Sequence, residues 1–252
     1  MYNKIKAIMK DAGNIMLSAK EIENAVTEKE GPANFVTEYD VKVQNFLYDN
    51  LMKLYPDAHF VGEENEQTDD VLHGLAFIVD PIDGTTNFIQ HMDASAISVA
   101  LLKDGNVILG ATYNPYRDQF FYAEKGKGAT CNERPIHVSS SGLKDSIVCL
   151  GTSPYYPEKH KATTDLAYKL LTNALDLRRS GSAVIDICEV AKGSVGLMYE
   201  MLLSPWDYAA SSLILTEAGG IITQMDGSDI IFNDKCSILC GNPKAHKDFF
   251  DL

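Results

Sequence analysis

Apolar residues recur at helical spacing near the start of the chain, where Ile5, Ile8, Met9, Ala12, Ile15, Met16 and Ala19 form one stripe. A second stripe runs from about Val41 to Leu54 through Phe46, Leu47, Leu51 and Met52, so two amphipathic helices are predicted here. A polar loop, Glu28-Lys29-Glu30-Gly31-Pro32, lies between them. It leads to Thr37-Glu38-Tyr39-Asp40, where Thr37 is placed to cap the second helix and Asp40, three positions on, reads most simply as its capping carboxylate.

Short strands follow at His59-Phe60-Val61 and Leu75-Ala76-Phe77-Ile78-Val79. Each runs directly into acid, Gly62-Glu63-Glu64 after the first and Asp80 after the second. From Ser95 to about Val138 the pattern is that of hairpins, punctuated by Asp104-Gly105-Asn106, Asn114-Pro115-Tyr116-Arg117 and glycines 126 and 128, which predicts an antiparallel sheet. After Ser139-Ser140-Ser141-Gly142 the rhythm changes to strand, helix, strand, helix: Ile147 to Leu150, Glu158 to Ala174, Leu177-Arg178, and Ala183 to Lys192. The shift sets an expected boundary near residue 140, with an α+β part over 1–140 and an α/β part over 141–252.

With 252 residues, 45% of them hydrophobic, there is enough apolar material for one large core or two packed ones. The 22 basic and 35 acidic residues give a formal charge of −13, which repels nucleic acid and anionic membranes. Neither is an expected partner. A small anionic substrate is still admissible if cations held by carboxylates reverse the sign locally. Cys131, Cys149, Cys188, Cys236 and Cys240 are odd in number, scattered and without a Cys-x-x-Cys pair, which points to reduced thiols and a cytoplasmic location. No apolar run reaches membrane-spanning length.

The densest chemistry lies in Asp80-Pro81-Ile82-Asp83-Gly84-Thr85-Thr86-Asn87-Phe88. Two carboxylates three apart, around a proline that fixes one backbone angle, can converge on one cation or a pair. Gly84 permits close backbone approach, and a helix starting after it would offer the N–H groups of Gly84 and Thr85 to an anion. Carboxylates, cations and an anion cradle together suit phosphoryl transfer. An EF-hand is excluded by isoleucine at 82 and the missing closing glutamate. The spacing departs from the Asp-x-Asp-x-Thr of phosphoaspartyl phosphatases, and no Gly-x-x-x-x-Gly-Lys-Ser/Thr occurs for a P-loop kinase.

The segment from Asp80 to Thr85 resembles the signature of the inositol monophosphatase family. Gly62-Glu63-Glu64 resembles its metal-binding glutamate motif, Trp206-Asp207-Tyr208-Ala209-Ala210 its C-terminal motif, and Arg178 to Ala183 with Tyr199-Glu200-Met201 its substrate-side segments. The resemblance implies a layered αβαβα sandwich of the inositol monophosphatase and fructose-1,6-bisphosphatase type. It implies two to three Mg²⁺ ions: the first held by Glu63, Asp80 and the Ile82 carbonyl, the second by Asp80, Asp83 and Asp207, and a weaker third by Glu63 and water. The nucleophile would be a metal-activated water oriented and deprotonated by Thr85 and Asp40, with Lys29 nearby. Gly84 and Thr85 would hold the phosphate, while Asp83, Gly181, Ser182, Ala183, Glu200 and Asp207 would meet the substrate. Arg178 and Arg179 read first as strand-end surface charges or a structural pair, with a substrate contact as the alternative.

The implied substrate is a small polyol or sugar phosphate, first of all inositol monophosphate, because Glu200 stands where inositol-type members keep a hydroxyl-accepting acid. Two departures, Leu202-Leu203-Ser204-Pro205 before Trp206 and Ser211 after the alanine pair, leave room for a broader enzyme acting on fructose 1,6-bisphosphate, NADP, nucleotide 3′-phosphates or histidinol phosphate. A non-catalytic, metal-binding regulatory member is the alternative from another class. By the same resemblance a homodimer and lithium inhibition are expected.

Overall fold

A computed structural model describes residues 1–20, 22, 26–28, 35–64 and 70–252; Lys29 lies outside them. The first two helices are α1 (Tyr2–Leu17) and α2 (Glu38–Leu54), joined through a two-stranded antiparallel ribbon of β1 (Val26–Glu28) and β2 (Phe35–Thr37). Helix α2 begins three residues before the apolar stripe does, because its start is fixed by the cap. Thr37 Oγ1 accepts the N–H of Tyr39 at 3.1 Å, and the Thr37 N–H and hydroxyl donate to Asp40 Oδ2 at 2.7 and 2.6 Å.

Seven strands in sequence order form the first sheet: β3 (His59–Gly62), β4 (Leu75–Asp83), β5 (Ala96–Lys103), β6 (Asn106–Asn114), β7 (Gln119–Glu124), β8 (Ala129–Cys131) and β9 (Arg134–Pro135). Only β3 and β4 are parallel. A short helix, α3 (Thr85–Ile89), links β4 to β5. The second sheet contains β10 (Ile147–Leu150), β11 (Asp176–Arg178), β12 (Leu197–Leu203), β13 (Ile221–Thr223) and β14 (Cys236–Gly241), in the spatial order β11-β10-β12-β14-β13. It is mixed: β10 runs parallel to β11 and β12, whereas β14 runs antiparallel to β12 and β13. Helices α4 (Pro157–Leu171), α5 (Ala183–Ala191), α6 (Pro205–Glu217) and α7 (Pro243–Phe250) complete the fold.

Strand periodicity sorts the apolar residues into layers. On β4, Phe77 and Val79 pack with Ile5, Met9, Val43, Leu47 and Leu51 of α1 and α2, while Ala76 and Ile78 point the other way. That other face packs on α5 and α6 through Ile187, Val190, Tyr208 and Ile214, and these reach Met198, Ile238 and Cys240 of the second sheet. Beyond it, Leu197, Tyr199 and Leu239 pack with Leu170 of α4 and Ala245 of α7. The order is therefore helix, sheet, helix, sheet, helix, the layered sandwich that the family resemblance implied. Because β4 is covered on both faces, its sequence reads as a continuous apolar run.

One contact sets the spacing of the middle layer. Any Cβ on Gly110 of β6 would overlap the backbone carbonyl of Ala210, so α6 lies directly on the sheet at this point. Ala209 and Ala210 are fully buried there, a place where longer side chains would force helix and sheet apart.

Candidate functional site

Strand β4 has to deliver two carboxylates to one side, yet residues three apart on a regular strand face opposite ways. A β-bulge resolves the conflict. Asp80 pairs with Ser98 and Asp83 with Ala96, so Pro81 and Ile82 together stand opposite Ile97 alone. Proline suits this position because it has no N–H to contribute to the ladder. Ile82 turns into the core, and its N–H donates to Asp80 Oδ1 at 3.0 Å. Gly84 then adopts φ 83°, a left-handed conformation that glycine takes without strain, and a Cβ there would lie 3.1 Å from the Ala94 carbonyl.

Helix α6 brings the third acid from the far half of the chain. Pro205 occupies its first turn, and Asp207 Oδ2 accepts the Ser204 N–H at 2.7 Å, which fixes the carboxylate at the helix start. Carboxylate oxygens of Asp80, Asp83 and Asp207 all lie within 4.8 Å of one another. Glu63, whose N–H donates to the Val79 carbonyl, lies outside this trio but lines the same cavity of about 570 Å³.

Burial, followed by the charges of Glu63, Asp83, Asp207 and Asp40, drives the Asp80 carboxyl well above the usual carboxylate range. Burial, then Asp83 and Glu63, does the same to Asp207. Asp83 is pushed up to about 7 by burial, against the opposing pull of its hydrogen bonds to Ser182 and Val184. An acid cluster of this kind is costly to ionise without positive charge, and only oxygen donors compose it, the set preferred by a hard divalent cation such as Mg²⁺. The residues present therefore fit the ion.

Thr85 and Asp40 are adjacent. The Thr85 hydroxyl lies 3.4 Å from Asp40 Oδ1 and 3.1 Å from the Ile82 carbonyl, while the Thr37 cap holds the other Asp40 oxygen. Asp40 is fully buried, so its capping contacts and its contact with Thr85 coexist.

At the start of α5, Ser182 Oγ accepts the Ile185 N–H and donates to Asp83 Oδ2, which also accepts from Val184 N at 2.9 Å. The helix start assigned from sequence to a ligand's hydroxyls is thus engaged with Asp83 in this structure. Gly181, Ser182 and Ala183 line the cavity beside it. Glu200 is buried on β12, its Oε1 accepting Ser153 N at 2.9 Å, and burial pushes its carboxyl up to about 7. Arg178 pairs with Asp176 on the surface and lies apart from the cavity wall, whereas its neighbour Arg179 forms part of that wall.

Several residues of the site were not singled out from the sequence. Asn87 Nδ2 donates to the carbonyls of Ala94 at 2.7 Å and Ser180 at 2.9 Å, joining the two sides of the cleft. Gly151 lies so close to Glu200 that any side chain on it would overlap the carboxyl group. Asp186, buried on α5 with Ser180 and Cys149 bonded to it, is raised to about 6 by burial. An asparagine after a Gly-Thr-Thr turn was the only hint of the first; the others depend on contacts between distant segments.

Two sheets set among three helical layers, with an acid cleft where strand ends meet two helix starts, define a layered-sandwich protein whose acid trio could hold a metal ion. Comparison places it more narrowly. Residues 1–250 match the inositol monophosphatase family. The inositol-1-monophosphatase of Rhizobium meliloti is 34% identical over 96% of this chain and 91% of its own length. The Nus factor SuhB of Escherichia coli K12 is 32% identical over 98% and 93%. Among solved structures, the extragenic suppressor protein SuhB of Bartonella henselae superposes with a TM-score of 0.91 at 32% identity, over 98% of this chain and 96% of that one. The inositol monophosphatase-II of Staphylococcus aureus with inositol monophosphate bound gives 0.84 at 26%, over 99% and 92%. The chain belongs to the inositol monophosphatase family.

Proposed function

We propose that the protein is a Mg²⁺-dependent phosphomonoesterase that hydrolyses a small polyol or sugar phosphate, with inositol monophosphate as the first substrate to test. The observation that carries this reading is the trio of Asp80, Asp83 and Asp207, the first two buried and the third partly so, drawn from both halves of the chain to the side of Gly84 and Thr85. Glu63, Asp80 and the Ile82 carbonyl would hold one ion, Asp80, Asp83 and Asp207 another, and Glu63 would contribute to a weaker third. Bound there, the ions would acidify a water and neutralise charge on the phosphate.

The remaining work falls to the chain's own groups. With its proton directed at Asp40 Oδ1, the Thr85 hydroxyl keeps a lone pair for an attacking water, so a proton can pass from water through Thr85 to the buried carboxylate. Gly84 and Thr85 hold the phosphate, and Gly181, Ser182 and Ala183 border the leaving group. Glu200, with one oxygen occupied by Ser153 N, offers the other to a substrate hydroxyl. A family name and a relative with inositol monophosphate bound support this choice. Lys29 is assigned to the neighbourhood of the water by resemblance alone.

A panel assay tests the proposal: phosphate release from inositol 1-phosphate, fructose 1,6-bisphosphate, NADP, a nucleotide 3′-phosphate and histidinol phosphate, with Mg²⁺ or EDTA, for the native protein and Asp83→Asn. Mg²⁺-dependent release that the variant loses is expected. Release from none of them would sink the enzyme reading in favour of a regulatory one, which the Nus factor among the relatives motivates. Among the described residues no helix is long and apolar enough to cross a membrane, and all five cysteines are free thiols. A cytoplasmic homodimer is the corresponding proposal, checked by cell fractionation and light scattering.

A further inference from the structure

The cavity that holds the acid trio has six carboxylates in its wall, Glu63, Asp80, Asp83, Asp186, Glu200 and Asp207, and two cations, Arg179 and Lys235. Among the described residues neither cation forms an ion pair with a carboxylate. Arg179 acts on Glu200 and Asp186 through space. Lys235 Nζ lies 2.7 Å from the Tyr156 hydroxyl and over its ring.

These groups are connected in one wall. Tyr156 N donates to the Ser153 carbonyl at 2.9 Å, and Ser153 N in turn holds Glu200. Running outward from the leaving-group acid, the wall is therefore Glu200, Ser153, Tyr156, Lys235, with Arg179 beside Glu200. Tyr155 stands edge-on to Tyr156, with ring centroids 6.5 Å apart and 39% of its surface exposed. Tyr155 lines the same cavity as the acid trio, and burial, then the charges of Glu63, Asp207, Asp83 and Asp80, pushes its phenol up.

From this arrangement we infer that Lys235 and Arg179, with the tyrosine pair, form a distal subsite for a second anionic group carried by the leaving group of the substrate. A neutral polyol offers these two cations hydroxyl acceptors but no opposite charge. A phosphate or carboxylate beyond the hydroxyl that meets Glu200 would satisfy both, the Tyr156 hydroxyl already orienting Lys235. In a chain of charge −13, two unpaired cations at the rim of an acidic cleft also favour an incoming dianion over the bulk surface. The inference rests on the proposed reading that phosphate is cleaved beside Gly84 and Thr85 with its leaving group toward Glu200.

The test compares substrates that differ only in the distal anion: fructose 1,6-bisphosphate against fructose 1-phosphate, and adenosine 3′,5′-bisphosphate against adenosine 3′-phosphate. The first pair carries the anion on a sugar, the second on a nucleoside whose base can also stack on the tyrosines. In Lys235→Gln and Arg179→Gln, the ratio of kcat/KM for bisphosphate over monophosphate should fall by about ten-fold or more in at least one pair, through KM. The pair that responds identifies the source of the anion. A ratio unmoved in both pairs overturns the subsite. If no substrate is turned over, the phosphatase reading fails separately, and the subsite is read by thermal shift with the same four probes. A larger shift for the bisphosphates, lost in the variants, sustains it; equal shifts overturn it.

Discussion

At the cleft end of β4 and at the cleft end of β12, two residues of one strand stand against one of its neighbour: Pro81 and Ile82 against Ile97, and Met201 and Leu202 against Ser237. Both bulges turn acid into the same cavity. Their surroundings differ. The groups that act most on Asp80 are all acids, Glu63, Asp83, Asp207 and Asp40, whereas Glu200 has the Ser153 N–H and the nearby Arg179 to offset its burial. The first bulge has only acids around it and needs positive charge from outside; the second is offset in part, its carboxyl still rising to about 7. One fold thus separates an acid cluster crowded with like charge from an acid that, in the proposed reading, meets the leaving group.

Asp80→Asn is the strongest way to break that asymmetry. It keeps the acceptor for Ile82 N–H but removes one of the crowded charges, so phosphate release should drop by on the order of 10³ while the metal-free protein melts higher. The stabilisation given by Mg²⁺ in wild type should disappear from the variant in thermal scans with and without EDTA. A lower metal-free Tm, with Mg²⁺ still stabilising, would place the cation elsewhere.

The second bulge predicts a pH effect. The Glu200 carboxyl rises from 4.5 to about 7 on folding, so between those values the folded state holds a proton that the unfolded state has lost. Its contribution favours folding at low pH, declines as pH rises through that window, and ends as a penalty of up to about 3 kcal/mol above it. Urea melts of wild type and Glu200→Gln from pH 5 to 8 should therefore diverge with rising pH, the variant gaining. Parallel curves would mean that Ser153 and Arg179 already offset the burial.

Smaller effects sharpen the comparison. Gly151→Ala should push Glu200 off its position, destabilise by about 1–3 kcal/mol and raise KM for polyol phosphates more than it lowers kcat. Asn87→Ala strands the carbonyls of Ala94 and Ser180 and should cost about 1–2 kcal/mol in denaturant unfolding. Unchanged stability would show that water takes over both bonds.

What could be read from the sequence was local. Asp80, Asp83 and Gly84 sit within five residues, and the convergence of the acids around Pro81 was legible; the bulge that achieves it was not, because it depends on how β4 pairs with β5. The Thr37–Asp40 cap was legible for the same reason. The helix over 158–174 was legible in outline, though α4 starts at Pro157 and ends at Leu171. Strands β12, β13 and β14 carry the second sheet's centre and edge, yet no strand was read beyond Arg178, because β12 merges into a helix start through its bulge and β13 is only three residues long. Ser153 and Glu200 are 47 positions apart, and Asn87 and Ser180 are 93 apart; spacing within one chain says nothing about such pairs. Asp40 was named twice from the sequence, as a cap by its spacing and as a proton acceptor by resemblance; that one oxygen serves the cap while the other faces Thr85 shows only in the fold.

The contact between Gly110 and Ala210 reaches further than packing. Asp207 stands three residues before Ala210 on the same rigid helix, so the gap between α6 and the first sheet sets the width of the acid cage. A single methyl group at position 110 would act as a shim under the helix, widening the cage without touching a ligand. Larger ions tolerate such a cage and small octahedral ones do not. If the trio holds the proposed ion, its size preference would be adjustable from a residue buried beneath the helix, on a strand that contributes none of the three acids.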